Sequence, residues 1–296
     1  MLWKLLSMLV PSSVKARARR WVRLVAGKPS MNSILATLHD PLTVEDRGGH
    51  FVPSQKHAGH TVHLENGLPL PPLKLRQSYG GWDDEAYLRL GEKTAATLRA
   101  IMRDHGVRLG PGDAMLDWGS STGRVLRWFA EEARTVEVWG ADVHADAMVW
   151  AKRHLSPPMH FVTCSGYPHL PFEDEKFTFI YSISVFTHLE HLIDLWLLEH
   201  RRILRPGGVA VFTVQDEHVI RWFEEHGRER WVPQDLDLGV IRENEVTILR
   251  SESWRGTHTF FRSDWIRAEW GRYFEVLEIR VHAEKYQSAV VLRRVD

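Results

Sequence analysis

The chain of 296 residues has a single cysteine, Cys164. One thiol excludes an intrachain disulfide framework and fits a reducing compartment. Seventeen histidines are present, but no Cys/His cluster has zinc-ligand spacing, so no metal site is expected. Net charge is also missing: 38 basic residues balance 38 acidic ones, and bulk charge gives no footprint for nucleic acid. No run of 18 apolar residues occurs, which excludes a spanning helix by composition. There is no internal repeat. Residues 1–39 have no acidic side chain, against seven basic ones.

What is present centres on Ala114-Met-Leu-Asp-Trp-Gly-Ser-Ser-Thr-Gly-Arg-Val-Leu-Arg-Trp-Phe-Ala130. It reads as a short apolar strand, a small-residue turn and an amphipathic helix over 122–133. Such a turn brings backbone N–H groups close to a ligand. Three readings of it compete. The spacing G-x-G-x-x-G of a dinucleotide site is absent, because Ser121 stands where the second glycine would be. No Gly-Lys-Ser/Thr follows, so it is not a P-loop. Gly119-Ser-Ser121-Thr-Gly123 does match the G-x-S-x-G elbow of a serine hydrolase, with Ser121 as nucleophile.

The segments that follow weigh against the hydrolase. Thr135–Asp142 reads as a strand ending in an acid 23 residues beyond Gly119. An acid there is placed to bind two ribose hydroxyls, or to cap a helix over His144–Leu155. Strands are expected at Met159–Thr163, Phe177–Ser184 and Val209–Val214, with a helix over Thr187–Leu204 closed by Arg205-Pro-Gly-Gly208. Strands alternating with helices predict a doubly wound, mostly parallel α/β sheet. A hydrolase would also need an oxyanion segment and a late histidine such as His282. The first is missing, since Gly48-Gly49-His50 has the wrong order.

Leu116-Asp-Trp-Gly-Ser-Ser-Thr-Gly-Arg124, Asp142, Leu170-Pro-Phe172 with Phe177–Ser184, and Leu204-Arg-Pro-Gly-Gly208 stand in one order. In that order the chain resembles the class I S-adenosylmethionine-dependent methyltransferases, over about 79–294. The resemblance implies a seven-stranded Rossmann-like sheet with an antiparallel C-terminal edge, S-adenosylmethionine as cofactor, and methyl transfer. It implies that Asp117, Gly119, Ser121 and Gly123 surround the methionine part of the cofactor. Asp142 would hold the ribose, Val143, Gly166 and Tyr167 would border the adenine, and Ser182 and Ser184 would face the cofactor. The family usually has glycine where Ser121 stands and often aspartate where Gly166 stands. These departures leave a non-catalytic, cofactor-binding scaffold as an alternative.

Three parts are expected in the chain: a basic amphipathic helical segment over 1–36, an extended linker or lid over 37–78, and the methyltransferase domain over 79–296. A helix over Asp83–His105 opens the domain, and a substrate-binding insertion occupies about 215–260. In the first part Val14, Ala18, Trp21, Val22 and Val25 form an apolar stripe beside the basic residues. That pattern predicts peripheral membrane contact at the inner face from a cytoplasmic location. The insertion is expected to carry an extra helix and short strands at Val246–Arg250 and Thr257–Phe261. Ser263–Arg272 is expected as a helix capped by Ser263, and Phe274–Val281 with Gln287–Arg293 as the final strand pair. Methyl transfer to oxygen can need a general base. The candidates are His188, just past the fourth strand, and Asp216 and His218, past the fifth. Trp254 is a candidate for stacking on a sugar. The C-terminal pattern resembles methyltransferases of glycan assembly, which makes a small-molecule or saccharide acceptor, O-methylated, the expected substrate. The sequence specifies no oligomeric state.

Overall fold

A computed structural model describes residues 60–64, 67–76, 83–229, 232–250 and 257–296. The chain divides after Asp40, and all of these residues lie in the second unit. The basic segment 1–36, residues 37–59 of the linker and Trp254 lie outside the described residues.

Helix α1, Asp84–Asp104, starts where the Asp83 carboxylate accepts the Ala86 N–H at 2.7 Å, with Asp84 and Glu85 in its first turn. Tyr87, Gly91, Thr94, Ala95, Leu98, Ile101 and Met102 form its buried stripe. Strands β1 (Ala114–Trp118), β2 (Glu137–Asp142), β3 (His160–Thr163), β4 (Phe177–Ser182) and β5 (Leu204–Val214) are parallel neighbours in the order β3-β2-β1-β4-β5. β9 (Gln287–Arg293) joins β5 antiparallel, and β8 (Glu275–Glu284) forms the edge. The sheet is therefore seven-stranded, mostly parallel, and antiparallel at its C-terminal edge.

Both faces of the sheet are covered, which is why the parallel strands are apolar runs. Met115, Phe179, Tyr181 and Val211 join α1 and α2 (Ala145–Leu155) in one core. Leu116, Ile180, Phe212 and Val290 join α3 (Ile193–Ile203) in the other. A second, two-stranded sheet pairs β6 (Val246–Arg250) with β7 (Thr257–Phe261). It is reached through α4 (Val219–His226) and α5 (Gly239–Glu243), and α6 (Ser263–Glu269) leads back to β8.

The structure corrects several local expectations. The helix over 122–133 is instead a chain of turns with 3-10 segments at Leu126–Phe129 and Glu132–Arg134. Ser121 (φ +47°) and Gly123 (φ +73°) take left-handed backbone, which a right-handed α-helix cannot include. The helix over Thr187–Leu204 breaks likewise. A 3-10 turn, Phe186–His188, is separated from α3 by left-handed Leu192 (φ +62°). The cap of α2 is His144, whose Nδ1 accepts the Ala147 N–H at 3.1 Å; Asp142 is not the cap. α6 has Arg262 at its cap position, because the Ser263 hydroxyl donates to Glu217 instead. β4 ends at Ser182, before Ser184. In the linker region, Val62 pairs with Leu70, and Leu70 and Leu75 are buried.

Candidate functional site

The site lies at the carboxyl ends of the parallel strands, where β1 and β4 are neighbours and the chain winds outward on either side. That switch point leaves a crevice. The turn after β1 is its floor. Gly119 sits at φ +86°, and a β-carbon there would collide with Val185 Cγ2. Its N–H and that of Ser120 donate to the Ala141 carbonyl, at 2.7 and 3.2 Å, which ties the turn to β2. Gly123 packs against Leu155 and Phe161.

Asp142, at the tip of β2, is buried. Its Oδ2 accepts the Ser121 N–H and its Oδ1 the His144 N–H, each at 2.8 Å. Each oxygen keeps a second lone pair for a ligand hydroxyl. Burial raises its pKa against those hydrogen bonds. Beside it, Val143 is 57% exposed, and Tyr167 in the loop after β3 is 66% exposed. They follow neighbouring strand tips, since the Cys164 N–H donates to the Asp142 carbonyl at 3.0 Å. Two large apolar groups left in water beside an acid suit a flat aromatic ring with an attached ribose. At Gly166 a β-carbon would meet nothing within 4 Å, so the space there is open.

Asp117 lies deeper and accepts the Tyr181 hydroxyl at 2.9 Å. Burial pushes its carboxyl up to about 7; the Tyr181 hydrogen bond and the Arg124 charge oppose the shift, and the Asp142 charge adds to it. A buried acid poised to ionise is a good partner for an incoming cation. The turn is also held from α1: the Tyr87 hydroxyl lies 3.0 Å from Thr122 Oγ1, and the Arg76 guanidinium stacks over the Tyr87 ring. Sequence reasoning had Tyr87 only as a packing residue and missed Tyr181 and Arg124. Their partners lie 35, 64 and 30 residues away, so no local pattern announces them.

The other side of the crevice is formed by the ends of β4, β5 and β9. The Ser184 N–H donates to Thr213 Oγ1 at 2.7 Å, and its hydroxyl to Gln287 Oε1 at 3.0 Å. The β6–β7 arm closes over this end: the Phe261 N–H donates to the Gln215 carbonyl at 2.9 Å, and Thr259 Oγ1 to the Leu189 carbonyl at 2.7 Å. His188 is exposed, and its Nδ1–H is held by the Thr257 carbonyl at 2.8 Å, which leaves Nε2 as an acceptor. His258 of β7 is 5.3 Å from it, ring to ring. Burial and the neighbouring His188 bring the His258 pKa down to about 4.

Asp216 and His218 come together, but not as two groups facing the crevice. Asp216 is fully buried and bonds to His218, whose side chain is 41% exposed. Asp216, Glu217 and His218 bring ligand-type atoms within 4.8 Å of one another, yet Glu217 is taken up by the Ser263 N–H and hydroxyl. The hydrolase constellation does not assemble: His282 Nε2 meets the His218 carbonyl at 3.1 Å, and its ring packs on Trp222.

Comparison with known proteins agrees with this geometry. A family model described as a methyltransferase domain matches residues 116–212, from β1 to β5. The Mycolicibacterium smegmatis fatty-acid O-methyltransferase is 29% identical over 103 residues, which cover 34% of this chain and 37% of that enzyme. The chain spans 34 to 52% of the length of the curated relatives it matches. Among solved structures, a SAM-dependent methyltransferase from Methanosarcina mazei is similar, with 18% identity, a TM-score of 0.49, and 66% of this chain and 97% of that one covered. The Burkholderia thailandensis 1,6-didemethyltoxoflavin-N1-methyltransferase gives 17% identity and a TM-score of 0.49, with 75% and 84% covered. Residues 116–212 therefore match a methyltransferase domain, with S-adenosylmethionine as the cofactor of that domain. The residues present fit that cofactor: apolar flanks for its base, an acid for its ribose, and a buried acid on the side of its cationic end.

Proposed function

We propose that the protein transfers a methyl group from S-adenosylmethionine to an oxygen of a small-molecule or saccharide acceptor. The observation that carries this reading is the division of the crevice. One end combines Asp142 with exposed Val143 and Tyr167; at the other, the tips of β4, β5 and β9 are tied together through Ser184, Thr213 and Gln287, and His188 and His218 follow β4 and β5. When bound, the cofactor supplies an activated sulfonium methyl. The protein's part is then to align an acceptor oxygen and take its proton. Asp142 holds the ribose, Val143, Gly166 and Tyr167 border the adenine, and Asp117, Gly119, Ser121 and Gly123 enclose the methionine end. The name of the mycobacterial relative supports oxygen as the acceptor atom.

The first test is calorimetric titration with S-adenosylmethionine beside an Asp142→Ala control. Saturable binding that the control loses supports the cofactor site; no binding by folded protein overturns it. Radiolabelled methyl transfer to methyl glycosides, and separately to fatty acids, then tests the acceptor class. Label in the glycosides is the expected result. Binding without transfer to any acceptor would point to the scaffold alternative.

We also propose that residues 1–29 rest on a membrane surface, on the strength of their basic, tryptophan-bearing apolar stripe. Sedimentation with anionic vesicles at low salt is the expected result, and its absence overturns the proposal.

A further inference from the structure

We infer that His218 is the base that accepts the acceptor's hydroxyl proton and that Asp216 is its positioning residue, an inference that rests on the methyl-transfer reading above. The Asp216 side chain is 0% exposed, and both its oxygens go to one partner. Oδ1 accepts the His218 backbone N–H at 3.1 Å, and Oδ2 lies 3.1 Å from His218 Nδ1. A buried carboxylate keeps its charge only where hydrogen bonds or a cation compensate it. Asp216 therefore holds the proton on Nδ1 and leaves the Nε2 lone pair as the acceptor of a side chain that is 41% exposed. The backbone at His218 is held from the other side by His282, whose Nε2 meets the His218 carbonyl at 3.1 Å. α4 begins at the next residue, and there Trp222 stacks on His226 at 4.0 Å and meets His282 edge-on at 5.4 Å. The ring is thus oriented through Nδ1, and its backbone is fixed.

His218 Nδ1 meets a carboxylate oxygen of Asp216, whereas His188 Nδ1 meets the Thr257 carbonyl. Hydrogen bonds to a charged partner are roughly twice as strong as neutral ones. The Asp216 hydrogen bond accordingly raises the His218 pKa, with Glu217 adding to it and partial burial opposing. In the transfer, Nε2 takes the hydroxyl proton while the acceptor oxygen gains the methyl, and the cofactor sulfur keeps the electron pair of the broken bond. The imidazolium then returns the proton to solvent. A carboxylate acceptor is already ionised near neutral pH and leaves such a base idle. The dyad therefore selects a neutral hydroxyl acceptor over a carboxylate, and His188 is left to hold the acceptor oxygen.

The test needs no acceptor. Full-length protein is treated with diethyl pyrocarbonate between pH 5.5 and 8, and carbethoxylation of His218 is followed by mass spectrometry, with and without saturating S-adenosylmethionine. We expect the cofactor to slow labelling of His218 about fivefold or more. We expect Asp216→Asn to move half-maximal labelling down by about one pH unit, because the neutral amide no longer stabilises the imidazolium. Glu217, His226 and His282 are unchanged in that variant. Equal labelling of wild-type His218 with and without bound cofactor overturns the assignment without any variant. So does a folded Asp216→Asn protein with an unmoved midpoint. Calorimetry on the same samples separates the two failures: absence of cofactor binding removes the methyl-transfer reading itself.

Discussion

Asp117 and Gly119 set the properties of the cofactor turn at the residue scale. The Asp117 carboxyl, pushed up to about 7, is half protonated in the free protein near neutral pH. A cationic ligand favours its ionised form, so binding below that pH must release a proton. We predict that S-adenosylmethionine affinity is flat above pH 8 and falls towards about tenfold per unit below pH 6. Calorimetry across this range checks it, and Asp117→Asn should flatten the profile. Gly119→Ala adds left-handed strain to a collision with Val185 and should cost about 2 kcal/mol or more. Denaturant midpoints measure this, and a second change, Val185→Ala, should restore only the steric share. Ser121 already carries a β-carbon in left-handed backbone (φ +47°), a conformation that favours glycine.

At the element scale, α3 controls the loop that bears Gly166 and Tyr167. Arg202 is fully buried on α3. It donates to Glu199, to Asp174 and to the carbonyls of Leu170 and Phe172, while Glu199 accepts the Leu170 N–H at 2.6 Å. Removing one member leaves a buried charge unpaired, so Arg202→Met should destabilise the protein by about 3–5 kcal/mol. It should also weaken cofactor binding through Tyr167, a loss that calorimetry on the folded fraction would read. The regular elements were legible in the sequence because a strand buried on both faces is an apolar run, as Phe177–Ser182 and Val209–Val214 are. β6 and β7 also fall at the positions expected for the two short strands of the insertion. The turns after β1 and β4, which replace an expected helix over 122–133 and the start of one over 187–204, were not legible. Arg124 and Arg127 look like the polar face of a helix, but the turn buries both.

At the scale of the whole molecule, three buried groups tie stability to pH. Burial brings the His200 pKa down to about 3, and the His258 pKa is brought down to about 4. Both must stay neutral in the fold, while their unfolded counterparts protonate below about 6.5. Their contribution is present above that pH and is lost as pH falls. Asp117 acts the other way, since its folded form binds a proton that its unfolded form releases. Between pH 6 and 4 the unfolded chain therefore binds one proton more than the native state through these three groups. These three groups alone should lower stability by about 1.4 kcal/mol per pH unit, a slope that the raised carboxyls of Asp142 and Glu199 reduce. Thermal unfolding across that window checks the slope, and His200→Phe should remove about one proton's worth of it. By itself the sequence determined the succession of strands along the chain, the small-residue turn and the acids at the tips of β1 and β2. These are local properties: apolar runs, residue size and spacing within one βαβ unit. Tertiary structure alone decided which polar groups meet across the crevice. Val185 touches Gly119, the Thr257 carbonyl fixes the His188 tautomer, and Asp216 is buried with both its oxygens on His218. Burial and long-range partners set the charge and direction of a side chain, and neither is written in its neighbours along the chain.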